Sequence, residues 1–303
     1  MTDKPYVSVV ITGRNDDYGQ DFLTRINTFV RCLDHQIRAH ADLWELVVVE
    51  WNPEPARQGL AEVIHATQHL SVRVITVPPD LHDTVGGSSP VLEFHAKNVG
   101  IRRARGEFVL VTNPDILFSQ GLIDEIAQRK LRVDTVYRTD RYDFVTGGIA
   151  AVAAEDLMEF ALSNAFVVHG MAGAASVSMP IEPGQRNWND LPASVGEPGI
   201  WHTNGCGDFM LAAREAFYTV RGLYETVEHR WHIDSISLLR FAVAKMRQQI
   251  WTSPRCVFHQ HHERRAQDVA FQDLDVAALA RRGGSTDWGF RGRDLVETLL
   301  ETS

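Results

Sequence analysis

The stretch AKNVGIRRARGEFVLVTNPDILFS, from Ala96 to Ser119, reads as a helix, a tight turn, a buried strand and a polar break that carries one carboxylate, Asp115. Ala96, Ile101 and Ala104 fall near one helical face, and Gly106 is placed to end the helix as a C′ glycine. Phe108 to Val111 is a short apolar run suited to a strand buried on both faces. Pro114 then stops that strand, because it has no N–H for a ladder and holds Asn113 extended. A carboxylate just past the carboxyl end of a buried parallel strand stands where open α/β sheets bind ligands.

Upstream, strand and helix patterns alternate. Val7 to Ile11 is a β-branched run that ends in the polar loop Thr12-Gly13-Arg14-Asn15-Asp16-Asp17. Apolar residues at helical spacing predict a helix from Asp21 to His40. Leu46 to Val49 is a second strand ending at Glu50, and Val72 to Val77 a third, followed by a Gly-rich loop over 80–90. This alternation predicts a doubly wound parallel sheet over the first 118 residues, with Asn15, Asp16, Glu50 and Asp115 at one edge. No G-x-G-x-x-G follows the first strand and no G-x-x-x-x-G-K-[ST] occurs, which argues against dinucleotide and P-loop readings.

Downstream, one strand is expected over Val136–Val145 and one helix over Ala151–Asn164. The span 165–202 is punctuated by Gly and Pro and reads as a long functional loop, with Trp188 and Trp201 as core anchors or a sugar-stacking surface. Asp208 sits in a glycine turn, and Asp234 opens a helix on Ile236, Leu239 and Val243. A last strand over Gln249–Phe258 leads into His259-Gln260-His261-His262. The charged tail, 264–303, carries two expected helices, near 273–282 and 292–301.

With 303 residues and 44% hydrophobic content, the chain is sized for one large domain with an appended piece. A net charge of −9 argues against a nucleic-acid binder, and no apolar run is long enough for a membrane span. Three scattered cysteines, Cys32, Cys206 and Cys256, and an opening MTDKPYVSVVI without signal-peptide layout fit a reducing, cytoplasmic setting.

At four places in order the sequence resembles nucleotide-sugar glycosyltransferases of the GT-A fold, family-2-like: VSVVITGRND, KNVGIRRARGEFVLVTNPD, GDFMLAAREAFYTVRGLYE and WHIDSISLLR. The resemblance spans about residues 6 to 262. It implies a GT-A domain over 1–263, with a nucleotide-binding half at 1–118, an acceptor half at 119–263, and a C-terminal helical extension at 264–303. It further implies transfer of a sugar from a UDP- or GDP-linked donor to a hydroxyl of a carbohydrate, lipid-linked or small-molecule acceptor, with inversion. In that family a D-x-D motif holds Mn²⁺ or Mg²⁺ on the donor diphosphate. Here it reads Asn113-Pro114-Asp115, one carboxylate short. By the resemblance, Asp115 is the metal residue, and a downstream histidine, His259 or His261, is a further ligand. Alternation along a strand would turn both histidines to one face.

The same resemblance assigns Asp234 as the base that deprotonates the acceptor, and Asp208 and Trp201 as acceptor contacts. It assigns Thr12, Arg14, Asn15, Glu50, Lys97, Asn98 and Asn113 to the nucleotide side. Two other classes stay open on sequence. The loss of an acid at Asn113 fits a GT-A-like nucleotide- or glycan-binding protein without catalysis, and the crevice logic is shared by nucleotidyltransferases, although Gly13-Arg14-Asn15-Asp16 lacks their longer glycine- and lysine-rich loop.

Overall fold

The structure is a computed structural model that describes residues 4–16, 19–177, 185–186, 188, 191, 200–262 and 270–302. Most of the expected 165–202 loop from residue 178 onward, and residues 263–269, lie outside the described residues.

The first half builds β1 (Val7–Gly13), α1 (Phe22–Ile37), β2 (Trp44–Trp51), α2 (Leu60–Val63), β3 (Ser71–Val77), α3 (Pro79–Val85), α4 (Glu93–Arg103) and β4 (Phe108–Val111). Strands β1, β2 and β4 are buried at every residue, as their continuous Val/Ile/Leu runs require when helices cover both faces. All four strands run parallel in the order β4-β1-β2-β3, so their carboxyl ends share one edge. Helix α1 buries Phe22, Ile26, Phe29, Val30, Leu33 and Ile37 along one stripe. Gly106 does not cap α4, which ends at Arg103 with Ala104 already extended. Its small size serves a close approach instead, since a Cβ there would lie 2.6 Å from the backbone nitrogen of Ser8.

Past β4 the chain leaves the large sheet. It continues through β5 (Ile116–Phe118), α5 (Gln120–Ala127), β6 (Thr135–Thr139), β7 (Arg141–Phe144), α6 (Leu157–Ser163), β8 (Ala165–Gly170) and β9 (Gly173–Ser176). It then adds β10 (Met210–Ala213), α7 (Arg214–Thr219), α8 (Ile233–Val243), β11 (Arg247–Trp251), β12 (Val257–Gln260), α9 (Val276–Arg281) and β13 (Val296–Leu299). The large sheet has the order β11-β6-β10-β4-β1-β2-β3-β13, and a second sheet has the order β5-β12-β7-β8-β9. The result is a mixed α/β, Rossmann-like arrangement: a large, mostly parallel sheet flanked by helices.

Three strand pairs carry the chain from the large sheet to the small one: β4 to β5 through 112–115, β6 to β7 through Asp140, and β11 to β12 through 252–256. The single strands expected over Val136–Val145 and Gln249–Phe258 are therefore each two strands in different sheets. Buried Asp140 marks the first corner and the segment around Pro254 the second. Helix α6 is shorter than the expected 151–164 helix, with 3₁₀ turns before it, and 165–176 is a β-hairpin where a loop was expected.

The described part of the tail does not stand apart. Helix α9 lies where one was expected, but 296–299 is a strand, β13, antiparallel to the edge of β3. The free edge of β3 offers unpaired backbone groups, and Val-Glu-Thr-Leu alternates as a strand does. Trp288, 3% exposed, takes the Arg102 guanidinium at 3.9 Å over its ring, and Phe290 stacks on Trp51. No helix among the described residues is long and apolar enough to cross a membrane.

Candidate functional site

The sheet-to-sheet crossings gather the chemistry. Thr112 to Asp115 link β4 to β5, and the backbone is pinned there by Thr112 Oγ1 donating to the Asp208 carbonyl and Gln260 N donating to the Asp115 carbonyl. In the small sheet His259 of β12 stands in register with Ile116 of β5 on one side and Asp143 of β7 on the other. Asp115 is thereby delivered to His259 by the shortest of connections.

Asp115 is buried, and its Oδ2 lies 3.0 Å from His262 Nε2 and 3.6 Å from His259 Nε2. Its Oδ1 is buried and has no hydrogen-bond partner among the described residues. Burial alone would raise this carboxyl, but the two imidazoles outweigh it and hold it well below the usual carboxylate range. Ligand atoms of Asp115, His259 and His262 all fall within 4.8 Å of one another, close enough to surround one ion. One carboxylate with two imidazoles suits Mn²⁺ and later transition ions better than Mg²⁺, which prefers oxygen alone.

His261 differs from the expectation of a shared inward face with His259. Strand β12 ends at Gln260, so the alternation stops there; His261 is exposed and packs edge-on against Phe166, while His262 turns back to Asp115. The His261 ring still comes within 4.8 Å of His259 and Asp143. The loop after β1 supports His262 from the other side. Gly19 has φ +66°, and a Cβ there would lie 2.5 Å from His262 Nδ1, so glycine is needed both for the backbone and for the contact.

A second run of side chains continues from this cluster. Arg141 places Nε 2.8 Å from Asp143 Oδ1 and Nη1 2.5 Å from Asp208 Oδ2. Asp208 Oδ1 accepts from Asn113 Nδ2 at 2.7 Å, and Asn113 Oδ1 accepts from Lys97 Nζ at 2.6 Å. The buried Lys97 ammonium also donates to Glu93 at 2.5 Å and to the Gly207 carbonyl at 3.2 Å. Gly207 N in turn donates to Asp234 Oδ2 at 3.0 Å, while Ser235 N donates to Asp234 Oδ1 at 2.8 Å. Asp234, in the first turn of α8, is thus aimed by two backbone donors. Arg141 and Asp143 are held apart from solvent by burial; His169 and His259, with Arg141, keep the Asp143 carboxyl far below its ordinary range despite that burial.

Asp115, His259, Asn113, Lys97, Asp208 and Asp234 therefore belong to one connected set. Glu50 and Asn98 do not. Glu50 is buried, accepting from Leu60 N at 2.7 Å and Thr76 Oγ1 at 3.3 Å, and burial raises its carboxyl. Asn98 is fully buried and ties down Leu223 and Glu225. Thr12 donates to the Val49 carbonyl, Asn15 to the Gln58 carbonyl, and Arg14 pairs with Glu54 at 3.2 Å. Trp201 is half-buried against the core. Sequence reasoning did not single out Arg141, Asp143 or His169, and it weighed His262 with His259 and His261 but favoured the other two. Charged residues two apart in an otherwise apolar strand, Arg141-Tyr142-Asp143-Phe144, were the available signal. A cavity of about 190 Å³ is lined by Val85, His95, Glu225, Asp287 and Phe290, none of which belongs to this set.

No family model matches the chain, and no curated protein sequence does. Among solved structures, residues 1–349 of TarS from S. aureus are similar at a TM-score of 0.46 and 12% identity, over 84% of this chain. The chain spans 60% of the length of that structure.

Proposed function

We propose that the chain is a glycosyltransferase that moves a sugar from a UDP- or GDP-linked donor to an acceptor hydroxyl, with inversion and with help from a divalent cation. The observation that carries this reading is Asp115: a buried carboxylate at the carboxyl edge of the parallel strands, with one oxygen unpartnered among the described residues and two histidines around the other. The sequence resemblance at this segment and at Asp234 supplies the reaction class.

Asp115, His259 and His262 would hold the cation, which when bound supplies charge stabilisation to a leaving diphosphate. Gly19 of the β1–α1 loop packs against His262, and Arg14 and Asn15 of the same loop would contact the nucleotide. Glu50 and Asn98 serve the frame of the crevice. Asp234 takes the acceptor proton, its carboxylate aimed by Gly207 N and Ser235 N; such a base contributes about 10²- to 10⁴-fold. Lys97, Asn113 and Asp208 link the cation cluster to the Gly207 turn and so set the distance between leaving group and base.

The test is a panel of UDP-, GDP- and CDP-sugars with and without Mn²⁺, read by nucleoside diphosphate release and by thermal shift. One diphosphate should stabilise the protein more with Mn²⁺, and its sugar should be turned over. Asp234→Asn should abolish turnover while leaving the thermal shift in place. No shift and no release with any donor would remove this reading.

A further inference from the structure

We propose that Asp143 is the positioning residue behind His259: it holds the proton on Nδ1 so that Nε2 presents its lone pair to the cation beside Asp115. The inference rests on the cation site of the proposed function and adds a residue to it. His259 lies between two carboxylates that address opposite ring nitrogens, Nδ1 at 3.4 Å from Asp143 Oδ1 and Nε2 at 3.6 Å from Asp115 Oδ2. A neutral imidazole carries one N–H and one lone pair, so binding through Nε2 requires the proton on Nδ1. That is the nitrogen Asp143 faces. A carboxylate in this place fixes tautomer and ring orientation and makes the ligand more basic.

Asp143 is built to stay there. It is 5% exposed, and Arg141 reaches it with Nε at 2.8 Å and Nη2 at 3.3 Å. His169 Nε2 approaches its Oδ2 at 3.4 Å from β8. Parallel pairing of β12 with β7 sets the His259–Asp143 register, so backbone and side chains fix the same contact. Because Arg141 also holds Asp208, the group that orients His259 is tied to the group that orients Asn113. One guanidinium therefore couples the two halves of the site.

The experiment measures Mn²⁺ binding to the full chain by titration calorimetry and by electron paramagnetic resonance of the free ion. Asp143→Asn keeps shape and an acceptor but removes the charge; Asp143→Ala removes the acceptor too. Affinity should fall in that order, by about 10- to 100-fold for Asp143→Ala. Glu45→Gln, which breaks the remote buried pair with Arg73, should lower stability and leave Mn²⁺ affinity unchanged. With Zn²⁺ as a diamagnetic stand-in, ¹⁵N NMR of the wild-type protein should show His259 keeping its proton on Nδ1 and losing it from Nε2. This reading does not depend on the variants folding.

Equal Mn²⁺ affinity in wild type and Asp143→Ala, or metallation at Nδ1, overturns the inference and leaves the cation site standing. A His261→Ala loss as large as that of Asp143→Ala places Asp143 among the direct ligands and also overturns it. Wild-type protein that binds no Mn²⁺ removes the cation site itself and this inference with it.

Discussion

Asn113 Nδ2 donates to Asp208 Oδ1 at 2.7 Å while Asn113 Oδ1 accepts from Lys97 Nζ at 2.6 Å. The amide is a donor on one side and an acceptor on the other, a pair of roles that no carboxylate can fill. The neutral residue at the head of Asn113-Pro114-Asp115 is thus demanded by its neighbours. Asn113→Asp should set a half-buried carboxylate against the buried Asp208 and take the amide donor from Asp208 Oδ1, costing about 1–3 kcal/mol for the lost hydrogen bond, with repulsion added. Urea denaturation checks this, and adding Asp208→Asn should recover part of the loss by exchanging donor and acceptor.

Asp115→Asn should remove the Mn²⁺-dependent part of any thermal shift and keep the fold. The carboxylate is the only anionic member of the triad with His259 and His262, and hard cations need it. Excess chelator should likewise remove the Mn²⁺-dependent shift from wild-type protein. Stabilisation by a bound ion follows its concentration, at about 2.7 kcal/mol for a hundredfold excess over Kd.

His95 gives stability a dependence on pH that is separate from the site. Burial, with His82 nearby, pushes this imidazole down to about 4. A histidine whose folded pKa is lowered binds its proton more readily in the unfolded chain. Stability from this group is therefore complete above about pH 6.5, the unfolded value, and is lost as pH falls toward 4. Denaturation midpoints recorded across that window should slope downward on acidification, and His95→Phe should flatten the slope.

Trp288→Ala tests whether the tail belongs to the core. The ring is buried against Arg102 and Tyr218, so its removal should cost about 3–5 kcal/mol. Gly289→Ala should be comparably damaging, because a Cβ at its φ of +61° would collide with the Asn98 carbonyl oxygen. A loosely attached extension would tolerate both in a urea titration.

Much of the parallel half of the large sheet was legible because its signals are local. The runs in β1, β2, β3 and β4 and the stripe in α1 each complete their pattern within one window, and Pro114 marks the strand end on its own. Asp115 followed from position alone, as did the opening of α8 at Asp234. Gly106 shows the limit of such rules: the residue type was informative, but the reason was contact with Ser8, which lies far away in sequence.

By itself, the amino-acid order determined an α/β chain with a parallel half, a carboxylate at the carboxyl edge of its strands and a histidine run downstream. Tertiary structure alone decided the rest. The breaks at Asp140 and after Trp251 are strand exchanges between sheets, and an apolar run looks the same whether it stays in one sheet or changes to another. His262, and not His261, reaches Asp115 because β12 stops at Gln260, and where a strand stops depends on its partners. Arg141 and Asp143 became part of the site only when β7 was laid beside β12. Side-chain periodicity is written within a few residues, whereas strand pairing joins residues more than a hundred apart, and that second kind of information exists only in the fold.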